Sequence, residues 1–158
     1  MIVERLKYEG AGEPVHVHYI GESERGRKKR VKEKCEDTPH PDLVGAMQRL
    51  REYWRQSWET KFDIRSWDPE VVVVQIDFEY NDDHSRLLEC ELKVREQGAE
   101  DPVKTETPGA VSVAPNSDLN EALWEAAEEA IAYVEGKRET GDLFEGDPNG
   151  EEEEGAPA

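Results

Sequence analysis

The sequence has no apolar run approaching the ~20 residues that a membrane-spanning helix needs. No apolar stretch follows a basic segment near its start, so a secretory signal peptide is not expected. Cysteine is scarce: Cys35 and Cys90 alone make neither a disulfide framework nor a zinc cage. Positive charge is also short, with 20 Lys and Arg against 38 Asp and Glu, a net of −18. That balance argues against general nucleic-acid binding, which relies on neutralising phosphates. The expected setting is the reducing cytoplasm, away from membranes. At 158 residues the chain has room for one ordinary domain and little more.

The charge is unevenly spread. From Glu139 onward there are eight acids and no Lys or Arg, among Gly141, Gly146, Pro148, Gly150 and Pro157. Such a segment cannot bury enough apolar area to offset its ordering entropy. Residues 139–158 are therefore expected to be a disordered acidic tail, and residues 1–138 a single domain. Removing those eight acids leaves 30 acids against 20 bases in the domain, net −10. One stretch runs the other way: Arg25, Arg27, Lys28, Lys29, Arg30, Lys32 and Lys34 are seven bases within ten residues. It reads either as a patch for anions or nucleic acid, or as a charged strand or loop that balances an acidic body and holds its own tail.

Periodicity supplies the elements. Ile2, Leu6 and Tyr8 suggest a first strand, and Val15, Val17 and Tyr19 alternate with His16 and His18 as in a second. Lys28–Cys35 suits a highly charged edge strand. Thr38 is a candidate cap for a helix carrying Leu43, Met47, Leu50, Trp54 and Trp58 on one face, which Asp68-Pro69 closes off. Val72, Val74, Ile76, Phe78 and Tyr80 alternate with Gln75, Asp77 and Glu79; Leu88, Cys90, Leu92 and Val94 answer them across Asn81-Asp82-Asp83-His84. A loop with a short extended piece at Val111–Val113 follows. Ser117 or Asp118 then caps a last helix striped by Leu119, Ala122, Leu123, Ala126, Ala130 and Val134, with Glu121 placed for a capping box and Gly136 as its stop. The expected fold is α+β: an antiparallel sheet of four to five strands with two helices covering one face.

Catalytic chemistry is not suggested. His16 and His18 share a strand face, yet no spacing supplies a third metal ligand, and a solvated face is the better account of them. Cys35 and Cys90 read as small core residues, and no phosphate-cradling glycine loop is present. Trp54 and Trp58 fit the helix core; Trp67 is less explained, and Trp124 lies on a helix flank where partial exposure suits a contact role. No cofactor, metal or enzymatic activity is expected.

Several short motifs resemble an uncharacterised family of small bacteriophage proteins encoded among replication and recombination genes. They are Ile2–Tyr8, Thr38-Pro39-His40-Pro41-Asp42-Leu43, Ile76-Asp77-Phe78-Glu79-Tyr80, Thr107-Pro108, and the run from Ala130 to Arg138 followed by Asp142-Leu143-Phe144. The basic stretch before Cys35 and the acidic extension after Phe144 depart from that pattern. The resemblance implies a phage origin and action in the cytoplasm of an infected bacterium. Its ending is similar to the peptide by which bacterial proteins dock on the DNA sliding clamp, although Thr140 stands where those peptides carry glutamine.

Two functions follow as expectations. The first is a non-catalytic interaction protein that engages a host bacterial protein, a sliding clamp or a defence protein. It would act through Asp142, Leu143 and Phe144 or by acidic mimicry of DNA. The alternative is a nucleic-acid or nucleotide binder that uses Arg25, Arg27, Lys28, Lys29, Arg30 and Lys32, as a monomer or a homo-oligomer.

Overall fold

The computed structural model describes residues 1–62, 70–98 and 109–138, with the side chains of residues 61 and 62 left out. Asp68-Pro69, Trp67, Thr107-Pro108, Asp142, Leu143, Phe144 and the rest of the acidic tail lie outside the described residues. Six strands form one sheet: β1 (Ile2–Tyr8), β2 (Val15–Glu22), β3 (Lys28–Cys35), β4 (Val71–Tyr80), β5 (Leu87–Glu96) and β6 (Val111–Ser112). Their order is β3-β2-β1-β4-β5-β6, and every neighbouring pair is antiparallel. Helices α1 (Pro41–Gln48), α2 (Arg51–Phe62) and α3 (Asp118–Val134) complete the described elements.

The α+β class and the antiparallel sheet agree with the sequence. The strand number is higher than expected, because β6 is a two-residue piece added beside β5. Val111 pairs with Cys90 and Ser112 with Glu89, and two residues leave no period to read. The single helix expected after Thr38 is two segments, divided at Arg49–Leu50, where the Leu50 N–H turns back to the Met47 carbonyl at 3.1 Å. Thr38 is not its cap. His40 is, its Nδ1 accepting from the Asp42 N–H at 3.1 Å with Pro41 in the first turn. Ser117 caps α3 by accepting from the Asn120 N–H; the capping box through Asp118 and Glu121 is therefore one residue out of register. At the far end Gly136 (φ +119°) closes a Schellman motif. Its N–H reaches Tyr133, and that of Lys137 reaches Ala132.

One sheet face carries Val3, Leu6, Val15, Val17, Val71, Val73, Ile76, Phe78, Leu92 and Val94, all buried. The helices bring Leu43, Met47, Leu50, Trp54, Leu123, Ala126 and Ala130 against it. Each fully buried aliphatic side chain contributes about 1.5–3 kcal/mol, so this layer dominates stability. The tryptophans Trp54 and Trp58 stack at 6.5 Å within it.

Strict alternation mispredicts three strands; on β5 the register shift between Glu79 and Tyr80 puts Leu87 in the core in place of the expected Leu88. Register shifts between Val3 and Arg5 on β1, and between Val73 and Gln75 on β4, each insert one residue. One extra residue reverses which side chains face the core. Val3 is therefore buried in place of Ile2, and Val71 and Val73 share the core face with Ile76 in place of Val72 and Val74. Val73 also lies past Gln75, the last β4 residue paired with β1. Its N–H donates to Gln48 Oε1 (2.9 Å), and its carbonyl accepts from Gln48 Nε2 (3.0 Å). A side-chain amide on α1 thus stands in for the absent strand.

Candidate functional site

No described helix packs on the other face of the sheet, and its charge follows from strand order. On β3, Val31 and Cys35 pack toward the core, so Lys28, Arg30, Lys32 and Lys34 project from the open face. Alternate residues on a strand lie ~7 Å apart, and this row therefore runs for ~20 Å. Across β2, Lys34 stands opposite His16, Lys32 opposite His18 and Arg30 opposite Ile20. Across β1, Arg5 stands opposite His18 and Lys7 opposite His16. Directly opposed residues share a face. Six cations and two histidines from three strands are thus collected on one surface.

Of the residues expected to bind anions, the fold brings together Lys28, Arg30 and Lys32. Arg25 and Arg27 sit in the β2–β3 turn, where Gly26 has φ +75° and the Arg27 N–H is bound by Ser23 Oγ. Lys29 lies opposite Gly21 on the other face. Arg5, Lys7, His16 and His18 were missing from the expected site. They are distant in sequence from the basic run, and only the pairing of β1 and β3 with β2 unites them. Their placement opposite Leu6, Tyr8, Val15 and Val17 in the alternation was the available signal.

Some of these cations are compensated and others are not. Arg5 Nε pairs with Asp77 at 2.5 Å, Arg30 with Glu4 through two contacts of 3.0 and 3.2 Å, and Lys7 with Glu9 at 3.2 Å. Lys28, Lys32 and Lys34 have no ion pair among the described residues. Burial, with Arg5, Lys32 and His16 adding to it, holds the His18 imidazole below its ordinary range; Asp77 opposes them. The cations without an ion pair among the described residues therefore lie along β3, with Glu22 of β2 opposite Lys28. Toward β5 the face changes sign, with Asp77 paired to Glu91 and Glu79 to Glu89 across the ladder.

The remaining candidates carry less. Among the described residues no group of three or more His, Cys, Asp or Glu is placed to hold a metal ion. Burial pushes the Cys90 thiol up to about 12, which leaves it protonated and inert at neutral pH. A groove of about 560 Å³ between α2 and α3 is lined by Glu52, Tyr53, Asp118, Glu121 and Glu125, and the Arg49–Glu125 ion pair of 3.0 Å crosses it. Trp124 is half-buried against Tyr80 at 5.8 Å. Among the described residues no helix is long and apolar enough to cross a membrane.

No family model, curated protein or solved structure matches this chain.

Proposed function

We propose that this chain is a non-catalytic binding protein whose working surface is the β3–β2–β1 half of the open sheet face. Its ligand is the phosphate backbone of a nucleic acid. The single observation that carries the reading is the gathering of Lys28, Arg30, Lys32 and Lys34 with Arg5, Lys7, His16 and His18 on one face that no described helix covers. A regular row of cations suits an extended polyanion better than a compact ligand. Lysines on an edge strand also discourage strand addition. That role accounts for β3 alone, and Arg5, Lys7, His16 and His18 stand on interior strands. Because no Phe, Tyr or Trp among the described residues joins the row, contacts would go to phosphates and carry little base specificity. In a phage setting, as the resemblance implies, such ligands would be replication or recombination intermediates.

Anisotropy titration against single-stranded and duplex oligonucleotides tests this. Four phosphate contacts give a log–log salt slope of about −3, a loss of about 50-fold between about 50 and 200 mM salt. Lys28→Ala/Arg30→Ala/Lys32→Ala should flatten that slope and abolish binding at the higher salt. Equal binding by this variant would remove the face from consideration. Capture of purified sliding clamp, lost on Leu143→Ala/Phe144→Ala, would instead favour the tail-docking function.

A further inference from the structure

The basic half of the face has a candidate occupant within the same chain. Arg138, the last described residue, is fastened beside the end of β3. Its Nε lies 3.2 Å from Asp37 Oδ2 and its Nη2 3.5 Å from Cys35 Sγ. Its guanidinium sits 3.8 Å from the centroid of the Tyr133 ring, and its backbone bridges to Pro39. Cys35 directly follows Lys34, where the cation row ends. Because β3 is an edge strand, no further strand of the sheet stands between that point and the open face.

Twenty residues follow Arg138, with eight acids and no Lys or Arg, and Glu151, Glu152, Glu153 and Glu154 are consecutive. That length reaches at most ~70 Å, whereas the row is ~20 Å long. The row offers Lys28, Lys32 and Lys34, all lacking an ion pair among the described residues. A tethered segment competes at an effective concentration of about millimolar, so individually weak, salt-screened pairs can add to a useful occupancy.

We propose that residues 139–158 occupy the basic half of the open face and compete there with nucleic acid. The inference rests on the polyanion reading of that face and supplies its regulation: a ligand must displace the tail to bind. A strong polyanion would succeed, while short or weakly charged ligands would be excluded.

The test uses the full-length chain with its tail acids neutralised: E139Q/D142N/E145Q/D147N/E151Q/E152Q/E153Q/E154Q. At about 50 mM salt this variant should bind a single-stranded oligonucleotide about 10-fold more tightly than wild type, and the gap should close as salt rises. A second readout needs no nucleic acid. The His16 and His18 ring resonances should differ between the two proteins at low salt and coincide at about 1 M. Oligonucleotide binding that is equal in the two proteins, with coincident histidine signals, overturns the inference and leaves the proposed function standing. Shifted histidine signals in a protein that binds no oligonucleotide support the tail contact and overturn the nucleic-acid function. A histidine difference that grows with protein concentration assigns the occupant to the tail of a second copy and overturns the intramolecular form.

Discussion

Gln48→Ala tests whether a side chain can replace a strand at the β4 irregularity. Val73 is fully buried, and neither its N–H nor its carbonyl has a β1 partner, because β1 pairs with β4 only from Gln75 onward. Both groups rely on the Gln48 amide, at 2.9 and 3.0 Å. Two intramolecular bonds contribute about 0.5–1.5 kcal/mol each, and a buried group left unsatisfied costs about 1–3 kcal/mol. Water entering the vacated space would recover part of that loss, so the expected cost is about 2–4 kcal/mol. Urea denaturation would show it as a lower midpoint with an unchanged slope. Gln48→Glu sharpens the test. Its carboxylate could accept from the Val73 N–H but would face the Val73 carbonyl with a second acceptor; protonation would restore a donor. The folded-state pKa of the introduced carboxyl is therefore raised above its unfolded value of about 4.3. The deficit should be largest at neutral pH and shrink as pH falls through the folded-state pKa. A change below about 0.5 kcal/mol for Gln48→Ala, within the range of ordinary surface substitutions, would refute the bridging role.

The other predictions use the same separation of layers. Leu50→Ala and Ile76→Ala, both at fully buried positions, should each cost about 2–5 kcal/mol in chemical denaturation. Glu89→Ala, exposed on the outer face, should cost less than about 1 kcal/mol. His18, held below the ordinary histidine range by burial, then Arg5, Lys32 and His16, binds protons less readily when folded than when unfolded. Stability linked to it is present above about pH 6.5 and lost as pH falls through its depressed folded-state value. His18→Gln should therefore narrow the loss of stability between about pH 7 and pH 5, read from thermal midpoints. Leu143→Ala/Phe144→Ala should leave oligonucleotide affinity within about twofold, since neither residue carries a charge.

The elements most legible in the sequence were those whose apolar spacing is regular. The Leu43–Trp58 stripe survives residue for residue, since burial demands the same face turn after turn; of the α3 stripe Leu123, Ala126 and Ala130 are buried, Leu119, Ala122 and Val134 only partly, and the buried Ala127 and Tyr133 were not in it. The β4–β5 pairing was legible for a similar reason, with Ile76 opposite Leu92 and Phe78 opposite Cys90. What escaped was local. A bulge leaves no compositional mark here, so the valines at 71 to 74 could be read in either phase, and alternation chose the wrong pair. Thr38 looked the better cap by side-chain preference, yet His40 holds that position because Pro41 sets the first turn immediately after it. The candidate site was half visible. Its β3 residues form a run that composition exposes, whereas Arg5, Lys7, His16 and His18 become neighbours only through pairing at sequence separations that no local pattern encodes.

Net charge alone does not describe the basic face, and the strand order explains why. A total of −18 describes the far field of the molecule, but a ligand at contact distance meets only charges within about a Debye length, roughly 8–10 Å near physiological salt. On β3, β2 and β1 those charges are mainly cations, whereas Asp118, Glu121, Glu125, Glu128 and Glu129 are carried by α3 on the helix side. The proposed function therefore implies repulsion of a polyanion at long range and attraction at short range. Raising salt from very low values should at first relieve the repulsion and only then weaken the contacts, giving oligonucleotide binding a maximum at intermediate ionic strength. Neutralising the tail removes eight of the repelling charges and should move that maximum to lower salt. A monotonic fall in affinity with an unchanged profile in the tail variant would show that the acidic layers do not act on the ligand at all.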